Sequence, residues 1–402
     1  MTDPTEGPCP EGRPGEVFAA FLKLGLTSFG GPIAHLGYYR EELVVRRGWL
    51  DDRAYADLVA LCQFLPGPAS SQVGFSLGLM RAGWRGALAA FAAFTLPSAI
   101  LMIVFAFGAA ALSGPVGQGA LHGLKLVAVA IVAQAVLGMA RTLCPDRARA
   151  LIAVGAVAVL AFVPGPFAMV LAIVLGALAG LGLGGGTGVA VGGHVRLRVS
   201  SRTGLIALAA FFTLLGGLPM LAVLGHLPAL VDGFYRAGAL VLGGGHVVLP
   251  LLQAEVVQTG WVSEAEFLAG YGAAQALPGP LFTFAAYLGA VMGPWPNGVL
   301  GAMIALVAIF LPGYLLLVGV LPFWDRFRVL PRAQALMRGA NAAVVGILGA
   351  ALYDPVFTGA VRDMPDFALA LGCAVLLVAW SMPAWAVVGI GAAGGVGLQL
   401  LG

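Results

Sequence analysis

The sequence predicts an all-α polytopic membrane protein built from two inverted-topology repeats, with broken or re-entrant helices at the repeat interface. Three observations carry that prediction. Of 402 residues, 60% are hydrophobic and only 10% charged, against about 25% charged in a soluble domain. Long motifs from the first half return in the second at a near-constant offset. The basic loops of one copy are matched by loops without Lys or Arg in the other, as opposed orientations require.

The repeat is explicit. Phe21-Leu-Lys23-Leu-Gly25, then Gly30-Gly31-Pro32, returns as Phe234-Tyr-Arg236-Ala-Gly238, then Gly243-Gly244-Gly245. Gly48-Trp49 returns as Gly260-Trp261, and Gln63-Phe-Leu-Pro66-Gly67-Pro68 as Gln275-Ala-Leu-Pro278-Gly279-Pro280. What recurs are helix breakers beside cations. In a membrane such breaks are tolerated where backbone lines a polar cavity.

Apolar stretches of about 20 residues, enough to span, lie near 84–111, 117–141, 147–164, 166–186 and 203–224. Four more lie near 296–321, 335–353, 366–382 and 384–401. Segments 17–45, 54–80, 229–258 and 266–293 are instead interrupted centrally, leaving arms too short to cross at about 1.5 Å per residue. These read as re-entrant hairpins or broken helices. The organisation expected is a disordered cytoplasmic tail (1–15), a first repeat (16–186), a basic cytoplasmic connector (187–202), then a linking span and second repeat (203–402).

Charge sets the orientation. The loop at 40–53 carries Arg40, Arg46, Arg47 and Arg53, whereas its counterpart near 252–266 has no Lys or Arg. Residues 112–121 are uncharged, whereas 322–338 hold Arg326, Arg328, Arg332 and Arg338. Corresponding loops therefore face opposite sides. Nine full spans with a cytoplasmic amino terminus and an external carboxyl terminus satisfy every loop.

The chemistry expected is anion binding. Pro32, Pro68 and Pro280 each follow a glycine and open a new arm, a position where proline's missing N–H costs nothing. The free N–H groups and positive dipole end of each arm suit an anion. Candidate substrate ligands are Gly30, Gly31, Pro32, Gln63, Gly67, Pro68, Ser70, Ser71 and Gln72 in the first copy. Gly243, Gly244, Gly245, His246, Gln275, Gly279, Pro280 and Thr283 are their counterparts in the second. Leu-Pro-Gly-Pro can equally be a plain helix stop.

Lys23 and Arg236 stand seven residues before equivalent glycines, two turns away. They suit the site or, as snorkelling anchors, the interface. Lys125 aligns with Asn341, a cation against a neutral donor. His35, Arg40, Glu42 and Glu255 are candidates for coupling or gating, with structural roles equally open, while His122, His194 and His226 read as structural. Glu42 and Glu255 are repeat-related.

The four cysteines lack metal-ligand spacing and read as apolar packers. No Walker lysine, His-Glu-x-x-His pattern or paired intramembrane carboxylates stand out, so neither an enzyme nor a cofactor is expected. An intramembrane lipid enzyme would want acids, and residues 58–145 and 147–231 contain none.

Taken together, Phe21 to Pro32, Gly48-Trp49, Gln63 to Pro68 and their second copies resemble the chromate ion transporter family of prokaryotes in its long, two-domain form. That resemblance implies chromate export across the cytoplasmic membrane and chromate resistance. The residues themselves reach only an anion pathway at an inverted-repeat interface. Expected partners are a small inorganic oxyanion, chromate or sulfate, and the lipid bilayer, with a homodimer admissible and no nucleic acid. A sulfate carrier or exchanger and a passive anion channel are the alternative readings.

Overall fold

A computed structural model describes residues 12–111, 114–163, 168–182, 199–242, 244–324 and 330–401. The first half contains α1 (Pro14–Thr27), α2 (Gly31–Tyr39) with a π-helical continuation (Arg40–Arg46), and α3 (Asp52–Phe64). It continues with α4 (Ala69–Ala111), α5 (Pro115–Leu143), α6 (Arg147–Phe162) and α7 (Ala168–Gly182). Helix α8 (Ser201–Ala222) joins the halves.

The second half repeats this order. It has α9 (His226–Leu240), α10 (Val248–Val256) after a 3-10 turn, α11 (Glu264–Ala274) and α12 (Phe284–Val291) after another 3-10 turn. Then come α13 (Gly298–Val320), α14 (Pro331–Ala351), α15 (Met364–Val378) and α16 (Ala384–Leu401). Helix α4 breaks at Ala82 and Gly83, so its two limbs correspond to α12 and α13. Among the described residues every regular element is helical.

Six helices are long and apolar enough to cross a membrane. Both ends of the expected span at 166–186 lie outside the described residues, while those at 147–164 and 366–382 are shorter: α6 and α15 have 16 and 15 residues. That is about 22–24 Å of helix against a hydrocarbon core of about 30 Å. The basic connector lies mostly outside the described residues.

The interrupted segments fold back on themselves. Around the first glycine pair, Phe21 meets the Tyr39 ring at 5.5 Å between centroids, and Lys23 reaches Glu42. Around the second, Arg236 reaches Glu255. Around Pro278-Gly279-Pro280, Phe267 and Tyr271 both pack on Phe284. Residues roughly equidistant from each break touch, as chain reversal requires. A further reversal at Ala82 and Gly83 brings Gly78 against Gly86, and its counterpart brings Gly289 against Gly301. Missing side chains let these backbones approach.

Contacts between the halves are reciprocal. Gly123 of α5 packs on Gly391 and Gly395 of α16, while its counterpart Gly339 of α14 packs on Gly176 and Gly180 of α7. Each half thus lends its last two helices to the other: α5 packs against α15 and α16, and α14 against α6 and α7. A contact from i to j mirrored by one from j to i is the mark of two-fold symmetry, here approximate. Small-xxx-small spacing on the receiving helices is the usual device for close packing in lipid.

Candidate functional site at the four helix breaks

The four breaks meet at the centre. The Gly67 N–H donates to the Val241 carbonyl at 2.8 Å, and its counterpart, the Gly279 N–H, donates to the Ser28 carbonyl at 3.0 Å. Ser28 and Val241 are themselves repeat-related, with the same offset as Lys23 and Arg236, so the two bonds are one contact seen from both halves. A side chain on Gly245 would touch Pro32, which closes the ring of breaks.

Local sequence explains why the chain turns there. Gly67 and Gly279 have φ of 118° and 97°, values that only glycine adopts at little cost. Each also lies against the opposite half: a Cβ would stand 3.0 Å from Gly313 Cα at the first and 2.9 Å from Ser98 Oγ at the second. Pro32 sits in the first turn of α2 and Pro68 just precedes α4, as expected, whereas Pro280 leads into a 3-10 turn before α12.

A cavity of about 180 Å³ opens at the first, third and fourth breaks. Gly30, Gly31 and Gln134 line it from the first half, and His246, Gln275 and Gly279 from the second. No charged side chain is among its described lining residues. Gln275 Nε2 is buried without a hydrogen-bond partner. His246 Nδ1 lies 2.8 Å from the Tyr271 hydroxyl, which orients the ring. Near the N-terminal turn of α2, the first N–H groups have no intrahelical acceptor. The cavity therefore offers neutral donors and one positive dipole end, a set suited to an oxyanion.

Several expected ligands lie elsewhere. Lys23 Nζ is 2.7 Å from Glu42 Oε2, and Arg236 Nη2 is 2.8 Å from Glu255 Oε2 and 3.2 Å from Asp232 Oδ2. Neither cation lines the cavity. Both clasp the base of a hairpin instead, because a carboxylate was placed on the returning arm. Arg40 pairs with Asp52 at 2.7 Å.

Gln63 is exposed and does not join Gln275. Gln72 Nε2 donates to the Pro66 and Gly313 carbonyls, both at 2.9 Å, so this amide seals the junction of the halves. The Thr283 hydroxyl donates to the Pro280 carbonyl at 2.9 Å, a local cap. Ser70 Oγ lies 3.3 Å from His35 Nδ1, both buried, while Ser71 Oγ has no partner.

Lys125 lines a second, larger cavity with His122, and its counterpart Asn341 does not share it. Asn341 keeps a buried Oδ1 without a partner. Gly244 has φ of 151° at its break, and Gly243 lies outside the described residues.

Some relevant residues were not expected. Gln134 and Tyr271 sit in unbroken helices with no local signal, and only packing brings them to the cavity. His122, read as structural, bonds Asp366 at 2.7 Å across 244 positions. Cys62 and Cys373 are buried and free, and Cys144 is free and half-buried. Cys9 and His194 fall outside the described residues. Among the described residues no cluster fit for a metal occurs.

Broken helices that meet beside a small polar cavity inside a helical membrane protein are an architecture in which transporters hold their substrates. The sequence profile of the chromate transporter family matches residues 15–181 and 228–397, one copy in each half. The chain belongs to that family, and it is accordingly a multi-pass protein of the cytoplasmic membrane. It is similar to a chromate transport protein of Pseudomonas aeruginosa, 29% identical over 84% of this chain and 80% of the relative. It is likewise similar to a probable chromate transport protein of Synechococcus elongatus, 28% identical over 90% and 88%. A chromate transport protein of Cupriavidus metallidurans is 28% identical over 89% and 86%. No solved structure matches the chain.

Proposed function

We propose that the chain is a secondary active transporter that carries chromate, a tetrahedral dianion, out of the cell and so confers chromate resistance. The observation that carries this reading is that three of the four breaks, at Gly30-Gly31, His246 and Gly279, line one cavity in which Gln275 Nε2 is left without a partner. In this reading the anion is held by Gln275, His246 and the N-terminal turn of α2, with Gly30, Gly31 and Gly279 letting it approach the backbone. Lys23 and Arg236 act at one remove, by holding the hairpins that carry the breaks.

The two-fold axis lies in the membrane plane in this proposal, which makes the repeats inverted. Support comes from charge: Arg46 and Arg47 follow α2 at one hairpin base, while the matching base after α10 has no basic residue. Inverted repeats can exchange access to a midplane site by rocking against each other. The reciprocal bonds at Gly67 and Gly279 make the breaks the natural pivot.

Sulfate is the second substrate to consider, and the lining favours it. A pocket of neutral donors recognises shape and charge, which chromate and sulfate share. The decisive experiment is uptake of radiolabelled chromate into proteoliposomes with proton and potential gradients imposed separately. Accumulation above the outside concentration, competed by sulfate, is expected. Equilibration without accumulation under either gradient would mean a channel, and no flux above empty liposomes would refute the proposal.

A further inference from the structure

The larger cavity, about 600 Å³, lies between α4, α5, α11 and α12, with Arg362 and Gln399 at its edge. Lys125 projects into it, 7% exposed. It stands ten residues inside α5, about 15 Å along the axis from the first residue, farther than a lysine side chain reaches.

Three other cations of the helices are paired: Lys23 with Glu42, Arg236 with Glu255 and Asp232, and Arg81 with Glu16. Lys125 makes no ion pair or hydrogen bond among the described residues. Three carboxylates stand near it without pairing with it: Glu266 lines the same cavity, and Asp366 and Glu264 lie beside it. Asp366 receives His122 Nε2 at 2.7 Å on one oxygen and the Arg362 backbone N–H at 3.0 Å on the other. Glu266 closes the capping box of α11 through Ser263. Glu264, at the start of α11, packs against Gly359. The walls present an ammonium, a guanidinium and the amides of Gln118 and Gln399, with the Glu266 carboxylate held towards Ser263 by one oxygen. A buried ammonium without a direct ion pair is costly, and a small anion within reach of Lys125 and Arg362 relieves it.

We infer that this cavity is a second oxyanion-binding station, with Lys125 and Arg362 as its charged ligands. It rests on the oxyanion reading of the central cavity and adds a vestibule on one side only, because the repeat counterpart of Lys125 is the neutral Asn341. The elements that open it carry the loops at 112–121 and 252–266, which have no Lys or Arg, and the carboxyl end, which the charge pattern puts outside. An outgoing anion would pause here after leaving the breaks.

The test is equilibrium dialysis of radiolabelled sulfate against the full-length protein in nanodiscs of phosphatidylcholine. Two sulfates per chain are expected for the wild type and for Lys125→Arg. One is expected for Lys125→Gln and for Arg362→Gln, the latter at an exposed position where folding is not at stake. Gln275→Leu should remove the other. A single sulfate in the wild type, or two in Arg362→Gln, would overturn the vestibule. Two sulfates in Gln275→Leu would instead strike at the central site and leave the vestibule standing. A lipid phosphate is the rival occupant: unchanged stoichiometry with phosphatidylglycerol added supports the solute site, and loss of one sulfate there overturns it.

Discussion

The Lys23 ammonium lies 2.7 Å from a Glu42 oxygen, and in the second copy Arg236 repeats the contact with Glu255 at 2.8 Å. In both halves the partners are 19 residues apart, one on each arm of a hairpin. The two clasps differ in their surroundings. The Lys23 side chain is 51% exposed, and Glu42 keeps Arg47 at 3.0 Å as a second partner. Arg236 is 30% exposed and holds two carboxylates, Glu255 and Asp232.

The clasps should therefore fail unequally. Arg236→Gln strands two partly buried carboxylates and should cost about 3 kcal/mol. Lys23→Gln should cost about 1 kcal/mol or less, because Lys23 is half exposed and the buried Glu42 keeps Arg47 as a partner. Thermal unfolding in detergent, followed by size exclusion, measures both. Equal losses would contradict the account, as would failure of Glu255→Gln with Asp232→Asn to rescue part of the Arg236→Gln defect.

At the junction of the halves, Gly67→Ala and Gly279→Ala should each destabilise by about 1–3 kcal/mol from backbone strain alone. Contact with Gly313 or Ser98 adds to this. Gly349→Ala in α14, where a Cβ meets nothing within 4 Å, should be neutral or slightly stabilising. Yield and melting temperature of the three variants make the comparison, and a benign Gly279→Ala would count against the reciprocal junction.

Gln275→Leu removes a cavity donor whose Nε2 is unspent. A hydrogen bond to a charged group contributes about 1.5–3 kcal/mol, so KM for chromate should rise about 10- to 100-fold. Gln63→Leu, at an exposed position, should leave KM unchanged. Initial rates in proteoliposomes decide, and similar effects at the two glutamines would remove Gln275 from the site.

Single cysteines at Arg46 and Thr259, in a background without the native cysteines, should react with an impermeant maleimide from opposite faces of the membrane. Labelling of both from the same face would rule out an in-plane axis.

The breaks were legible because they depend on residues whose backbone chemistry is unmistakable. Glycine followed by proline ends one helix and starts another wherever it occurs, and its return at a near-constant offset revealed the duplication. The loop arginines gave an expected orientation on the same local terms. The roles of the cations were not legible. Lys23 and Glu42 are each visible in the sequence, but their pairing depends on the angle at which the hairpin closes. Gln134, Tyr271 and the His122 to Asp366 bond, which spans 244 positions, carry no local signature at all.

By itself the sequence determined the membrane class, the two copies and the points where helices must stop, since hydropathy and backbone freedom are properties of short stretches. Tertiary structure alone decided which breaks touch, which cations are neutralised and which donors remain unspent around a cavity. Those outcomes depend on distances between residues remote in the chain, and in a low-dielectric interior a few ångströms separate a satisfied ion pair from a charge that needs a ligand.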